Sequence, residues 1–274
     1  MALTLEHITK TFGGVHAVEE VSMRFTPGKV TALIGPNGAG KTTLFNLISG
    51  QLCPDRGTVR YQGEELTGMA PHRIAGRGVG RLFQDVRLFG RMTVLDNVRS
   101  AFPDQRGESA WRAVFTRWRV NRQEQTHTEQ ALELLEQVGL TEKADELGEN
   151  LSYGQQKLAA IARLLAMGAD TLLLDEPVAG VNPGLVGTLL NTVRRLADDG
   201  KTIVLIEHNM NVVLDVADQS YFMDDGRCVA SGKPRDVLAN PEVRAAYTGL
   251  DKSTEATNGP TADEPTADEP TADL

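Results

Sequence analysis

Residues 35–43 read Gly-Pro-Asn-Gly-Ala-Gly-Lys-Thr-Thr, and no other stretch limits the possible folds as much. The run fits the phosphate-loop pattern G-x-x-x-x-G-K-[ST]. It also has the flanks that pattern requires. Val30–Ile34 is an apolar run of strand length directly before it, and Thr42–Ser49 is helix-like directly after it. Gly35, Gly38 and Gly40 let backbone N–H groups come close to a phosphate, with Pro36, Asn37 and Ala39 between them, and the helix N-terminus adds positive potential. Lys41 is placed to reach the β- and γ-phosphates of a nucleotide, and Thr42, followed by Thr43, to offer a hydroxyl to Mg²⁺. A chance lysine beside an ordinary glycine-rich turn would not meet both flanking conditions.

A second pattern lies far downstream. Thr171–Leu174 is a short apolar run ending in Asp175 and Glu176. Such runs suit buried parallel strands, and acids at the C-terminal edge of a parallel sheet lie where these sheets take their ligands. Asp175 is suited to hold Mg²⁺, directly or through water, and Glu176 to polarise an attacking water. Thr202–Ile206 reads as another buried strand, with the helix-like Gly184–Ala197 and the turn Asp199–Gly200 before it. Leu3–Ile8, Val21–Phe25 and Gly57–Tyr61 read as further strands, with turns at Gly13–Gly14 and Pro27–Gly28. Residues 128–138 put Ala131, Leu134, Leu135 and Val138 on one helical face, and Gln155–Met167 is a second apolar helix pattern. Strands alternating with helices predict a mainly parallel sheet covered on both faces.

Composition excludes several classes. The 274 residues are 41% hydrophobic and 24% charged, enough for a core without metal or disulfide staples. Cys53 and Cys228 lie far apart without metal-ligand spacing and read as small buried apolar side chains in a reducing compartment. No run approaches a transmembrane helix, and Met1–Phe12 lacks the pattern of a signal peptide, so a cytoplasmic chain is expected. The net charge is −9. Residues 251–274, built on a PTADE repeat, hold seven acids against Lys252 alone, a formal −6, which leaves −3 for residues 1–250. The tail is too poor in apolar residues to offset its ordering entropy and is expected to be disordered. A nearly neutral body argues against nucleic acid as a partner.

Leu151-Ser152-Tyr153-Gly154-Gln155 precedes a helix pattern about twenty residues before the paired acids. It resembles the signature motif of ABC ATPases, usually LSGGQ, with tyrosine at the third position. With the phosphate loop and the acids in this order, residues 1–250 resemble an ABC transporter nucleotide-binding subunit. The resemblance implies a P-loop NTPase core with a mainly parallel sheet, an antiparallel β subdomain and an α-helical subdomain. On that pattern residues 1–83 and 168–225 would form the core and 84–167 the helical subdomain, with 226–250 a C-terminal extension. Phe12 resembles the aromatic that stacks on adenine. Gln84 resembles the glutamine that senses Mg²⁺ and the attacking water, and His208 the switch histidine at the γ-phosphate. The cofactors implied are ATP and Mg²⁺. In this family two subunits face head to tail, so that each ATP meets the phosphate loop of one and the signature of the other. This chain holds one set of motifs and should need a second ATPase chain.

Finer matches are similar to the branched-chain amino-acid importer group: Pro177-Val178-Ala179-Gly180-Val181-Asn182-Pro183, with Asn182 where many relatives carry aspartate, Phe83–Phe89, Ile206-Glu207-His208-Asn209-Met210, and Asn240–Tyr247. The resemblance implies an ATPase at the cytoplasmic face of the inner membrane, powering uptake of branched-chain amino acids or a related amino acid or amide. Permease subunits, a second and paralogous ATPase and an extracellular solute-binding protein would be its partners, with permease contacts along Gln84–Asn97. Residues 100–126 read as an insertion, where Trp111, Phe115 and Trp118 share a helical face beside Arg112, Arg117, Arg119 and Arg122. Such a face suits either packing on the subdomain or contact with permeases or lipid headgroups. The competing readings are a lipopolysaccharide-export ATPase and a soluble ABC protein of translation or DNA repair. The Glu207-His208 pair and the 100–126 insertion favour the importer over the first. The single cassette, free of coiled-coil or zinc insertions, argues against the second.

Overall fold

Three strands explain the three unbroken apolar runs. β3 (Val30–Ile34), β7 (Thr171–Asp175) and β8 (Thr202–Ile206) are buried at every position, so neither face of these strands requires polar residues. The computed structural model describes residues 2–103 and 117–248, with the side chains of all of these except 117–122 and 248. Trp111, Arg112 and Phe115, the side chains of Arg117, Trp118, Arg119 and Arg122, and the 251–274 tail lie outside that description.

β1 (Leu3–Phe12), β2 (Val15–Phe25), β4 (Arg56–Tyr61) and β5 (Glu64–Glu65) make an antiparallel sheet in the order β2-β1-β4-β5. A second sheet runs β10-β9-β3-β8-β7-β6, where β6 is Val79–Leu82, β9 Gln219–Asp224 and β10 Arg227–Gly232. All its neighbours are parallel except β9 and β10. Alternation along the central strands divides the core. Leu33, Leu173, Val204 and Ile206 face the antiparallel sheet and α1 (Lys41–Ile48), meeting Phe25 and Phe45. Ala32, Ile34, Leu172, Leu174, Ile203 and Leu205 face the other way, toward helices.

Those helices include α3 (Val94–Arg99), α4 (Arg117–Gln137) and α5 (Tyr153–Ala166), which pack on one another, and α6 (Pro183–Asp198). Ala131, Leu135 and Val138 are fully buried, as the helical period requires, and Leu134 is half-buried. A short α2 (Pro71–Ala75) precedes β6. The chain closes with α7 (Met210–Val216), α8 (Pro234–Ala239) and α9 (Pro241–Thr248).

The register positions the site. Leu33 pairs with Ile206, and Ile206 with Asp175. β3, β8 and β7 therefore end level and side by side. The segments leaving them, 35–40, 207–208 and 175–176, emerge along one edge. One expectation fails here: Cys53 is exposed, because it lies in the loop between α1 and β4, and Cys228 is only half-buried.

Candidate nucleotide site

The loop after β3 wraps back onto its own backbone. Gly35 is buried at φ +146°, and a Cβ there would stand 2.0 Å from the Met223 carbonyl oxygen on β9. Only glycine lets the loop pass that strand so closely. Gly38, at φ +84°, has open space around it, so its need for glycine is conformational. Gly40 caps α1, whose first-turn N–H groups have no partners within the helix. Lys41 Nζ donates to the carbonyls of Gly35 and Pro36, at 2.8 and 2.7 Å. Burial pushes the Lys41 ammonium below its ordinary pKa, while the nearby charges of Glu176 and Asp175 oppose that shift. A cavity of about 330 Å³ is lined by Asn37, Gly38, Ala39, Gly40, Lys41, Thr42 and Thr43 and by Glu176 and His208 from the neighbouring strand ends.

Glu176 is gripped on both oxygens. His208 Nε2 lies 2.9 Å from Oε1, and Gln84 Nε2 donates to Oε2 at 3.4 Å. The residue has φ +48°, a left-handed conformation costly for a side chain with a Cβ and persisting only where neighbours over-determine it. Asp175 is nearly buried and pairs through Oδ2 with Arg81, at 2.9 Å. The same guanidinium donates to Asn46 Oδ1 at 2.6 Å and Ser49 Oγ at 3.4 Å, and its carbon stands 4.9 Å from the Phe83 ring centre.

The remaining predicted residues lie in two other places. Ser152 caps α5 in a capping box with Gln155, accepting from its backbone N–H at 3.4 Å while the Gln155 side chain accepts from the Ser152 N–H at 2.9 Å. Leu151 is core, and Gly154 leaves space for Leu185 and Val181. None of Leu151–Gln155 lines the phosphate-loop cavity. Tyr153 is nevertheless tied to the site, since its hydroxyl donates to the Gln84 carbonyl at 2.6 Å. Phe12 is 45% exposed at the end of β1 and does not line that cavity either.

Four residues that meet the site were given no role in it by the sequence. Arg81 pairs with Asp175. Lys157 is fully buried and donates to the carbonyls of Glu176 and Ala179, each at 2.8 Å. Glu207, also buried, accepts from the N–H groups of Val178 and His208, each at 3.3 Å. Tyr247, on α9, packs its ring on Phe222 and meets the Gly35 backbone, with burial raising its phenol. Only the unusual Glu207-His208 pair was visible as a signal.

The donor set suits Mg²⁺. Thr42, Gln84 and Asp175 line one further cavity together, and all three offer oxygen. Among the described residues no three His, Cys, Asp or Glu side chains cluster as a metal cage.

The ABC transporter family profile matches residues 18–179, and that of the branched-chain amino acid ATP-binding cassette transporter matches 227–251. The chain is 38% identical to the high-affinity branched-chain amino acid transport ATP-binding protein BraF of Pseudomonas aeruginosa, over 90% of this chain and 97% of that one. It is 37% identical to a probable LivG protein of Archaeoglobus fulgidus, over 92% and 96%. A nucleotide-free ATP-binding cassette from an ABC transporter superposes with a TM-score of 0.77 at 35% identity, over 90% of this chain and 99% of that one. Level strand ends, a phosphate loop and a gripped carboxylate thus sit on a cassette with close sequence kin, and the chain belongs to the ABC transporter family as an ATPase of its branched-chain amino-acid group.

Proposed function

We propose that this chain binds and hydrolyses ATP to power uptake of branched-chain amino acids or a closely related solute, working with permease subunits at the cytoplasmic face of the membrane. The observation that carries the hydrolytic reading is Glu176, held between His208 and Gln84 at the mouth of the phosphate-loop cavity. A carboxylate fixed at both oxygens can orient and polarise a water for in-line attack on the γ-phosphate. Lys41 and the loop amides hold the phosphates, and His208 contacts the γ-phosphate. Thr42, Asp175 and Gln84 would hold Mg²⁺, which when bound neutralises charge on the β- and γ-oxygens. Phe12 stacks on adenine, which its exposed position permits.

In this reading Leu151–Gln155 serve the nucleotide of a second cassette, in agreement with their absence from the lining of this chain's own cavity. A related bacterial cassette, 25% identical, has a dimeric structure. The second cassette here is a paralogue, and an extracellular binding protein delivers the solute. Among the described residues no helix is long and apolar enough to cross a membrane. Residues 1–83 and 168–225 form the core, 84–167 the helical subdomain and 226–250 the extension. The names of the relatives favour the importer over the lipopolysaccharide-export and soluble readings.

Affinity purification from detergent-solubilised membranes tests the transport half of this reading. Two permease chains and a second ATPase should co-purify, and recovery of soluble partners or ribosomes alone would refute it. Glu176→Gln tests the hydrolytic half: it should bind ATP while nearly stopping turnover, whereas Lys41→Ala should lose ATP affinity. Full-rate hydrolysis by the first variant or unchanged binding by the second would refute the roles given.

A further inference from the structure

The catalytic loop is held from behind by two buried charges of opposite sign. From α5, Lys157 Nζ donates to the carbonyls of Glu176 and Ala179, both at 2.8 Å. From the end of β8, Glu207 accepts from the Val178 N–H and from the His208 N–H, both at 3.3 Å. A cation thus takes the loop's carbonyls and an anion takes an amide between them. Both side chains are almost wholly withdrawn from solvent, at 0% and 3% exposure. Neither lines the cavity at the phosphate loop.

Burying a charge is costly unless fixed dipoles replace its water. Lys157 is compensated by the Glu176 and Ala179 carbonyls and by the charge of Glu207, and Glu207 by the N–H groups of Val178, His208 and Asn209. Burial lowers the Lys157 ammonium and raises the Glu207 carboxyl, and the charge of Glu207 works against the Lys157 shift. The Glu176 carbonyl, which also accepts from the Ala179 N–H at 3.2 Å, belongs to the residue with φ +48°. Holding that carbonyl opposes relaxation of the left-handed backbone, and so sets where the Glu176 carboxylate stands. Glu207 sets the His208 backbone in the same way.

We propose that Lys157 and Glu207 are a positioning pair for hydrolysis, acting through the backbone to place Glu176 and His208 without touching nucleotide. The proposal rests on Glu176 being the hydrolytic carboxylate. Lys157 lies one helical turn after Tyr153, whose hydroxyl holds the Gln84 carbonyl at 2.6 Å and whose ring lies 5.0 Å from Nζ. The start of α5 therefore fixes Gln84 and Glu176 together, so the helix opened by the signature motif also orders this chain's own catalytic groups.

The test is a double-mutant cycle in the assembled complex, reading kcat and the Kd for a fluorescent ATP analogue. Lys157→Met should lower kcat by about ten- to a hundred-fold, the scale of a misplacement near 1 Å, with Kd unchanged within about twofold. Added to Glu176→Gln it should cost nothing further, because residues acting as a unit are not additive. Lys157→Arg, which keeps a buried donor, should recover part of kcat. Should Lys157→Met fail to fold, Glu207→Gln supplies the same cycle, with a fall of about tenfold expected alone and none in the Glu176→Gln background. Wild-type kcat in a folded variant, a multiplicative loss in the double variant, or a parallel loss of nucleotide binding overturns the proposal. Full activity of Glu176→Gln alone would instead remove the reading on which it rests.

Discussion

Arg81→Met removes one partner of the most buried ion pair in the described structure. The side chains of Arg81 and Asp175 are 6% and 11% exposed. Truncation strands the Asp175 carboxylate beside Glu176, frees the Asn46 and Ser49 oxygens of a donor, and deletes the cation from between Phe45 and Phe83. Breaking such a pair costs about 3–5 kcal/mol. Lys41 also attracts Asp175, which offsets part of the loss, so about 3 kcal/mol is expected. With a urea m-value of about 2 kcal/mol/M, the unfolding midpoint should fall by about 1.5 M. Arg81→Met combined with Asp175→Asn leaves no stranded charge and should recover most of that shift, since a buried pair replaced by neutral groups is often no less stable. Urea titration without nucleotide, followed by far-ultraviolet circular dichroism, measures both. A single-variant shift below about 0.5 M, or a double variant no more stable than the single, would refute the reasoning.

Gly35→Ala should be much worse than Gly38→Ala, because the first places a Cβ 2.0 Å from the Met223 carbonyl and the second meets open space. Titration with a labelled nucleotide should show at least about tenfold weaker binding for Gly35→Ala, and equal losses at the two sites would contradict the loop geometry. Asp218 predicts an acid limb of stability. Burial alone would raise its carboxyl, but the Val30 N–H, Arg194 and Lys29 outweigh that and hold it below its ordinary value of 3.8. Its contribution is complete above that ordinary value and is lost as pH falls through the lower folded one. Unfolding free energy measured below about pH 4 should therefore depend less on pH in Asp218→Asn, and an unchanged slope would count against it.

The elements legible in the sequence were those whose local signal agreed with their final environment. Val30–Ile34 and Thr202–Ile206 coincide with β3 and β8, and Thr171–Leu174 falls one residue short of β7. These strands are buried on both faces, so unbroken apolarity marked them. The helix pattern at 128–138 matches only the second half of α4, and the sequence assigns 117–126 to a separate insertion rather than to the same helix. β6, β9 and β10 left little trace. Val79–Leu82 includes Gly80 and Arg81, and Gln219–Asp224 is half polar. Their pairing energy comes from neighbours remote in the chain.

The site divides in the same way. The sequence by itself made the phosphate loop and the paired acids legible, because a phosphate-binding loop demands particular residue types at particular spacings after a strand, while His208 was read from the family resemblance. Tertiary structure alone decided that Leu33, Ile206 and Asp175 stand level, which brings three distant segments to one edge. It alone decided that Arg81 meets Asp175, that Tyr153 meets Gln84, and that Lys157 and Glu207 close on residues 176–179. Those partners lie 94, 69 and up to 29 positions apart. A lone lysine or arginine carries no periodicity that foretells which distant backbone it will reach, since that follows from strand order and helix packing rather than from the residue itself.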